Sequence, residues 1–124
     1  MTIAEAMARI DAKKPNQYKN SDLINWLSEL DGRFYNEVIV NAEGGEDVTF
    51  SGYTSATPTS TVLLIPDPYS SAYLVWLAAK IDFWNAEYTR FSNTMEMFNL
   101  EYKAAADAWR RTHGPQQKHR IIAR

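Results

Sequence analysis

Few residues in this chain of 124 fall into a pattern that does chemistry. The two histidines, His113 and His119, lie six apart, and the last fifteen residues hold no acid to complete a metal site with them. His113 instead sits where a helix should end, a position at which the dipole favours an imidazolium. Glu43, Glu46 and Asp47 cluster, but beside Gly44-Gly45 in a turn, which solvates carboxylates rather than pairing them for acid–base work. Cysteine is missing, so thiolate nucleophiles, thiolate metal sites and disulfides are excluded. No glycine-rich phosphate loop, Gly-x-Ser-x-Gly or His-Glu-x-x-His occurs. The expectation is a protein without catalytic activity, cofactor or metal.

Charge and aromatic content point instead to binding. From Arg110 onward there are five cations (Arg110, Arg111, Lys118, Arg120, Arg124) and no acid, whereas the remaining eight cations face all fifteen carboxylates. A body of −7 thus carries a tail of +5, which asks for an anionic partner or an anionic patch to sit on. Ile121 and Ile122 in that tail have no use in water and suggest that it docks. Aromatic residues make up 13% of the chain, enough to build a core from rings or to keep some for a partner. The longest apolar run, Ala72 to Ala79, is eight residues, far short of the ~20 that span a bilayer. The N-terminus carries Glu5 and no apolar stretch, so it does not read as a signal peptide. The expectation is a protein made and kept inside a cell.

The elements that must position these residues follow from periodicity. Thr2 and Glu5 form a capping box that opens a short helix, with Ile3, Met7 and Ile10 on one face, ended by Pro15. A second helix should run from about Asp22 to Asn41, capped by Asn20 or Ser21. Its buried stripe is Leu23, Trp26, Leu27, Leu30, Phe34, Val38 and Ile39. Gly32 inside it weakens the helix by about 1 kcal/mol relative to Ala, which a close neighbour would explain. From Thr49 to Thr61, eight of thirteen residues are Ser or Thr, flanked by the β-prone Val48-Thr49-Phe50 and Val62-Leu63-Leu64-Ile65. This reads as a hairpin bearing a long, polar, mobile arm over about 46–66.

After Pro66-Asp67-Pro68, an unbroken heptad seam begins. Leu77, Ile81, Trp84, Tyr88, Phe91, Met95, Phe98, Tyr102, Ala105 and Trp109 step by four and three. A continuous helix from Ser70 to Thr112 would be about 65 Å long at ~1.5 Å per residue. That is roughly twice the width of a globule of this size. The poor helix formers Ser92-Asn93-Thr94 are the expected break, giving helices over about 70–91 and 93–112. Trp76, Phe83 and Met97 fall off the seam and suggest self-association. The expected fold is mainly α: about four helices with a short β-hairpin and polar loop between them, occupying 1–115, and a basic tail over 116–124.

The ordered combination is the most telling feature. It runs from IAEAMARIDAKKPNQY through NWLSELDGRFYNEVI and LLIPDPYSSAYLVWLAAKIDFWNAEY to RFSNTMEMFNLEYKAAADAWRRTHGP. Over nearly residues 1–115 it resembles the small head–tail connector (adaptor) proteins of tailed bacteriophages and Gram-positive prophages. The short phrases that carry the likeness are ELDG at Glu29–Gly32, IPDPY at Ile65–Tyr69 and RTHGP at Arg111–Pro115. The resemblance implies a mostly helical, non-catalytic virion subunit with a small β element. Its copies form a ring on the portal protein, extend the DNA channel and meet the next connector, a stopper or the tail. Charge and resemblance together assign Arg110, Arg111, Lys118, Arg120, Ile121, Ile122 and Arg124 to the portal contact. Phe50, Tyr53, Thr54, Pro58 and Thr59 of the arm are assigned to the adjacent subunit or the next ring. The alternatives are a helical DNA-binding regulator with the tail as phosphate clamp, or a coiled-coil interaction protein. The acidic body and the want of a basic helix face speak against the first.

Overall fold

The computed structural model describes residues 1–114, and these are mainly helical. Helix α1 (Ile3–Lys13) opens on the expected capping box: the Glu5 N–H donates to Thr2 Oγ1 at 3.1 Å, and the Thr2 N–H donates to Glu5 Oε1 at 2.9 Å. It buries Ile3, Ala6, Met7 and Ile10, and its last bond runs from the Lys14 N–H to the Ile10 carbonyl, just before Pro15. Helix α2 (Asn20–Phe34) starts slightly earlier than its sequence suggests, because the Asp22 carboxylate accepts from the Lys19 N–H and closes the first turn. It continues into a π-helical turn, Tyr35–Ile39. The wider turn lets the adjacent Val38 and Ile39 both face the core below Phe34.

The expected long helix is two helices, but they part at a different place. Helix α3 (Ala72–Trp84) follows a single 3-10 turn, and helix α4 (Tyr88–His113) runs back along it. The break falls at Asn85–Glu87, not at Ser92-Asn93-Thr94. Ala86 takes the left-handed conformation at φ 61°. The Glu87 N–H donates to the Asp82 carbonyl and the Ala86 N–H to the Phe83 carbonyl, the paired bonds of a left-handed C-cap. Thr94 is accommodated in the helix because its hydroxyl is used: its single proton lies between two acceptors, the Arg90 carbonyl at 2.9 Å and the buried Asp82 carboxylate at 3.1 Å. Lys14 reaches the same carboxylate at 2.7 Å, so the end of α1 is clamped to the turn between α3 and α4.

Helix α3 is the central element and packs on α1, α2 and α4. One core runs through the described residues, with Tyr73, Phe34, Phe98, Leu27, Leu30 and Leu77 among its fully buried side chains. Phe34 stands edge-on to both Tyr102 and Trp109, at 6.1 and 5.6 Å, which ties the end of α2 to the last turns of α4.

The β-hairpin is not formed. Among the described residues there is no strand, only an isolated antiparallel bridge between Thr2 and Val62. Val62 therefore pairs with the chain's start and not with Val48–Phe50. The Ile3 and Ala4 N–H groups, left over by the first turn of α1, donate to the Thr61 and Thr59 carbonyls at 3.0 and 2.9 Å. The segment from Val48 to Pro66 is thus a loop strapped across the helices rather than a projecting arm.

Gly45 makes the turn after the π-helix possible. A Cβ there would lie 2.2 Å from the Ile39 carbonyl oxygen, a backbone atom that cannot swing aside. Gly45→Ala is expected to cost about 2–3 kcal/mol by overpacking. A fall in the urea midpoint at unchanged slope is the check, and a loss below about 0.5 kcal/mol would show that the turn can shift.

Candidate interaction surface

The most perturbed titratable cluster is built where the strapping loop meets the helices. Asp31 on α2 is completely buried. The Tyr53 hydroxyl donates to its Oδ2 and the Tyr73 hydroxyl to its Oδ1, both at 2.5 Å, while the Leu64 N–H donates to Oδ2 at 3.0 Å. Tyr73 accepts in turn from the Ile65 N–H at 2.6 Å. Burial pushes the Asp31 carboxyl up, against the pull of these donors, and pushes both tyrosine hydroxyls up as well. A shifted carboxylate between two tyrosines has the look of acid–base machinery. Here every donor is turned inward and no solvent reaches the acid, so the cluster anchors the loop.

This geometry revises the expected arm. Tyr53 is buried with its hydroxyl on Asp31, and its backbone N–H donates to Ser28 Oγ at 2.9 Å. Phe50 is half-buried, edge-on to Tyr53 at 5.1 Å and tilted against Tyr35 at 6.0 Å. Its ring lies 3.6 Å from where a Cβ on Gly32 would stand, an ordinary van der Waals distance, so no crowding at Gly32 requires a glycine there. Phe50 and Tyr53 are therefore anchors of the loop. Thr54, Pro58 and Thr59 remain exposed along its outer edge.

Of the basic set, Arg110 and Arg111 lie exposed on the last turns of α4, with Arg110 3.7 Å from Asp107. Lys118, Arg120, Ile121, Ile122 and Arg124 lie outside the described residues, as does His119. His113 stacks flat on Trp109 at 4.1 Å, and the described residues contain no cluster able to hold a metal ion.

An apolar feature open to a partner lies where the heptad seam breaks. Because the chain turns at Asn85–Glu87, Trp84 and Tyr88 leave the seam and stand in solvent, 60% and 61% exposed. Phe83 sits between them, with Trp84, Tyr88 and Phe91 around it edge-on at 5.4, 6.0 and 5.3 Å. Four rings thus make the tip of the α3–α4 hairpin. Below it lies a cavity of about 150 Å³ whose walls include Trp76, Ala79, Phe83, Phe91 and Met95, with Lys80 at its edge. Lys80 pairs with Glu29 at 3.1 Å and lies 4.9 Å over the Trp76 ring.

The three residues set off the seam divide. Trp76 is half-buried and packs against the core, its indole N–H donating to the Trp26 carbonyl at 2.7 Å and its ring against Phe98. Phe83 and Met97 are exposed. Met97 lines a second cleft, of about 340 Å³, on the α1 side of the hairpin, where Leu74, Val75 and Ala78 are further walls and Lys13 and Lys14 are also present. Leu100, one turn beyond Met97, is 72% exposed. The hairpin therefore shows apolar surface on both of its sides and at its tip, the kind of surface that marks interaction sites.

No helix among the described residues is long and apolar enough to cross a membrane. The chain matches no protein-family model, no curated protein and no solved structure.

Proposed function

We propose that this chain is a non-catalytic assembly subunit, a head–tail connector of a tailed phage particle. The observation that carries the reading is the aromatic tip of the α3–α4 hairpin. A small monomer gains nothing by holding Trp84 and Tyr88 in water, whereas a neighbour's surface would bury them. The ordered sequence phrases support the narrower identification. On this reading about a dozen copies close into a ring by head-to-tail contacts, since a tip meeting an unlike surface generates a ring when the rotation closes. The ring sits on the portal protein in the neck of the virion, after assembly in the host cytoplasm, and receives the next connector, a stopper or the tail. DNA passes through without sequence-specific binding, and the acidic balance of the body would let a duplex slide rather than stick.

The basic end makes the portal contact in this proposal: Arg110 and Arg111 on α4, then Lys118, Arg120 and Arg124 with Ile121 and Ile122. The outer edge of the loop (Thr54, Pro58, Thr59) faces the adjacent subunit or next ring, held from behind by Phe50 and Tyr53. Deleting residues 116–124 should abolish attachment to the portal and leave the body folded. Native mass spectrometry with and without portal, across a concentration series, reads both steps. A closed species near twelve subunits supports the reading, and a concentration-stable dimer indifferent to portal overturns it. Undiminished attachment of the truncated chain would remove the tail from the contact.

A further inference from the structure

The cavity under the aromatic tip is made by two helix faces that meet without filling the space between them. Trp76, Ala79, Lys80 and Phe83 recur at steps of three and four on α3, and Phe91 and Met95 lie one turn apart on α4. Ala79, 1% exposed, is the small member of this set, and its methyl group leaves room that the surrounding rings do not close. The walls are braced from outside. The Trp76 ring lies 4.9 Å from Phe98, and its indole N–H donates to the Trp26 carbonyl at 2.7 Å. Phe83 and Phe91 stand edge-on to each other at 5.3 Å. The Lys80 ammonium donates to Glu29 Oε2 at 3.1 Å, so its charge is matched within the chain. Both N–H-bearing side chains of the walls are thus engaged, and a water in the cavity finds few partners.

We propose that this cavity binds one uncharged, six-membered apolar ring, as a free small molecule. Size, lining and charge each select that class. The volume is about 150 Å³, and apolar cavities of about that size stay dry and take up benzene. Three of the walls are aromatic, which offers a ring edge-to-face contacts, and Met95 adds a polarizable thioether. A carboxylate would have to displace Glu29 from Lys80, and an ammonium group would meet Lys80 itself. Because the walls are held by contacts of their own, little has to be ordered when a ring enters. Phe83 is also the ring against which Trp84 and Tyr88 stand, so an occupant lies directly behind the tip. The site itself does not rest on the connector reading.

The test uses the full chain with isotope-labelled methionine methyl groups, titrated with benzene and followed by NMR. The Met95 signal should shift saturably, with a midpoint on the order of 1 mM, an undemanding affinity for a ligand of six heavy atoms. Met7 in the core and Met97 in the cleft on the α1 side should not move. Ala79→Leu fills the cavity and should remove the shift, with Met7 reporting that the core is intact. Where Leu overpacks and disturbs Met7, the smaller Ala79→Val is read in its place and should weaken binding. Benzoate at the same concentrations should leave Met95 where it is. A parent without a saturable Met95 shift overturns the proposal, as does an equal shift in the folded Ala79 variant, which would put benzene elsewhere. A response to benzoate as large as that to benzene overturns the uncharged class. A Met95 signal that moves with protein concentration before benzene is added would seat a side chain of a second copy there instead.

Discussion

Replacing Asp31 with Ala is expected to lower the unfolding free energy by about 3–5 kcal/mol. The substitution strands three donors at once: the Tyr53 and Tyr73 hydroxyls and the Leu64 N–H. Each buried donor left without an acceptor costs about 1–3 kcal/mol, and partial entry of water lowers the sum. The loss should also be local in its structural effect. The Ser28 bond to the Tyr53 N–H and the Thr59 and Thr61 bonds to α1 persist, so hydrogen exchange should quicken at Leu64 and Ile65 before it does in α2. Chemical denaturation at pH 7 gives the magnitude. A loss under 1 kcal/mol would mean that the loop is held by its apolar contacts alone.

The pH dependence of the same site has a definite sign. Burial raises the Asp31 pKa above its unfolded value, with the Tyr53, Tyr73 and Leu64 bonds offsetting part of the rise. The native protein therefore binds this proton more tightly than the unfolded chain does. Its stabilisation is complete below about pH 3.9, the unfolded value, and is lost as the pH climbs through the raised native one. Asp31→Asn removes that titration. The stability difference between parent and Asn variant should thus move in the parent's favour between pH 7 and pH 4, whatever the exposed carboxylates contribute to both.

Period-reading located the helices because their buried stripes are long. Leu23, Trp26, Leu27, Leu30 and Phe34 declare α2, and Leu77 with Ile81 and Phe98 with Tyr102 declare the buried parts of α3 and α4. The turn between those two helices was not legible, and for a physical reason. A left-handed C-cap normally announces itself by glycine, but here Ala86 adopts φ 61° at a cost of roughly 1–2 kcal/mol. The heptad pattern meanwhile runs on through Trp84 and Tyr88, whose apolar character serves the surface. Ser92-Asn93-Thr94 misled in the opposite direction, since intrinsic propensity says nothing of Thr94 donating to Asp82.

The loop failed for a related reason. Its Ser/Thr content is that of a solvated arm, and nothing local marks Tyr53 as the residue that must meet a buried acid 22 positions earlier. Asp31 lies at a position of α2 that the apolar stripe did not use, and a lone acid on a helix is usually a solvated one. Only the convergence of Tyr53, Leu64 and Tyr73, from three separate stretches of chain, makes that position a core site. The basic tail, by contrast, was plain as charge and silent as geometry.

On the connector proposal, Trp84→Glu combined with Tyr88→Glu is expected to abolish ring formation while leaving the subunit folded. Both side chains are more than half exposed, so their replacement in the monomer should change stability by about 0.5 kcal/mol or less for each. At an interface the balance is different. Buried Trp and Tyr anchors cost about 2 kcal/mol or more apiece when removed, and a carboxylate in their place must also be stripped of water. Two such losses at every subunit contact, some 4 kcal/mol, weaken each by roughly 10³-fold. A closed ring repeats the contact around its circumference, so micromolar assembly should disappear even with portal present. Met97→Glu combined with Leu100→Glu is the control, because it places the same two charges on comparably exposed apolar residues of α4 outside the tip. Loss of the ring in the double variant but not in the control assigns the contact to the tip. Equal loss in both would make it an effect of net charge, and a ring that survives the double variant would leave the four rings of the tip without the role proposed for them.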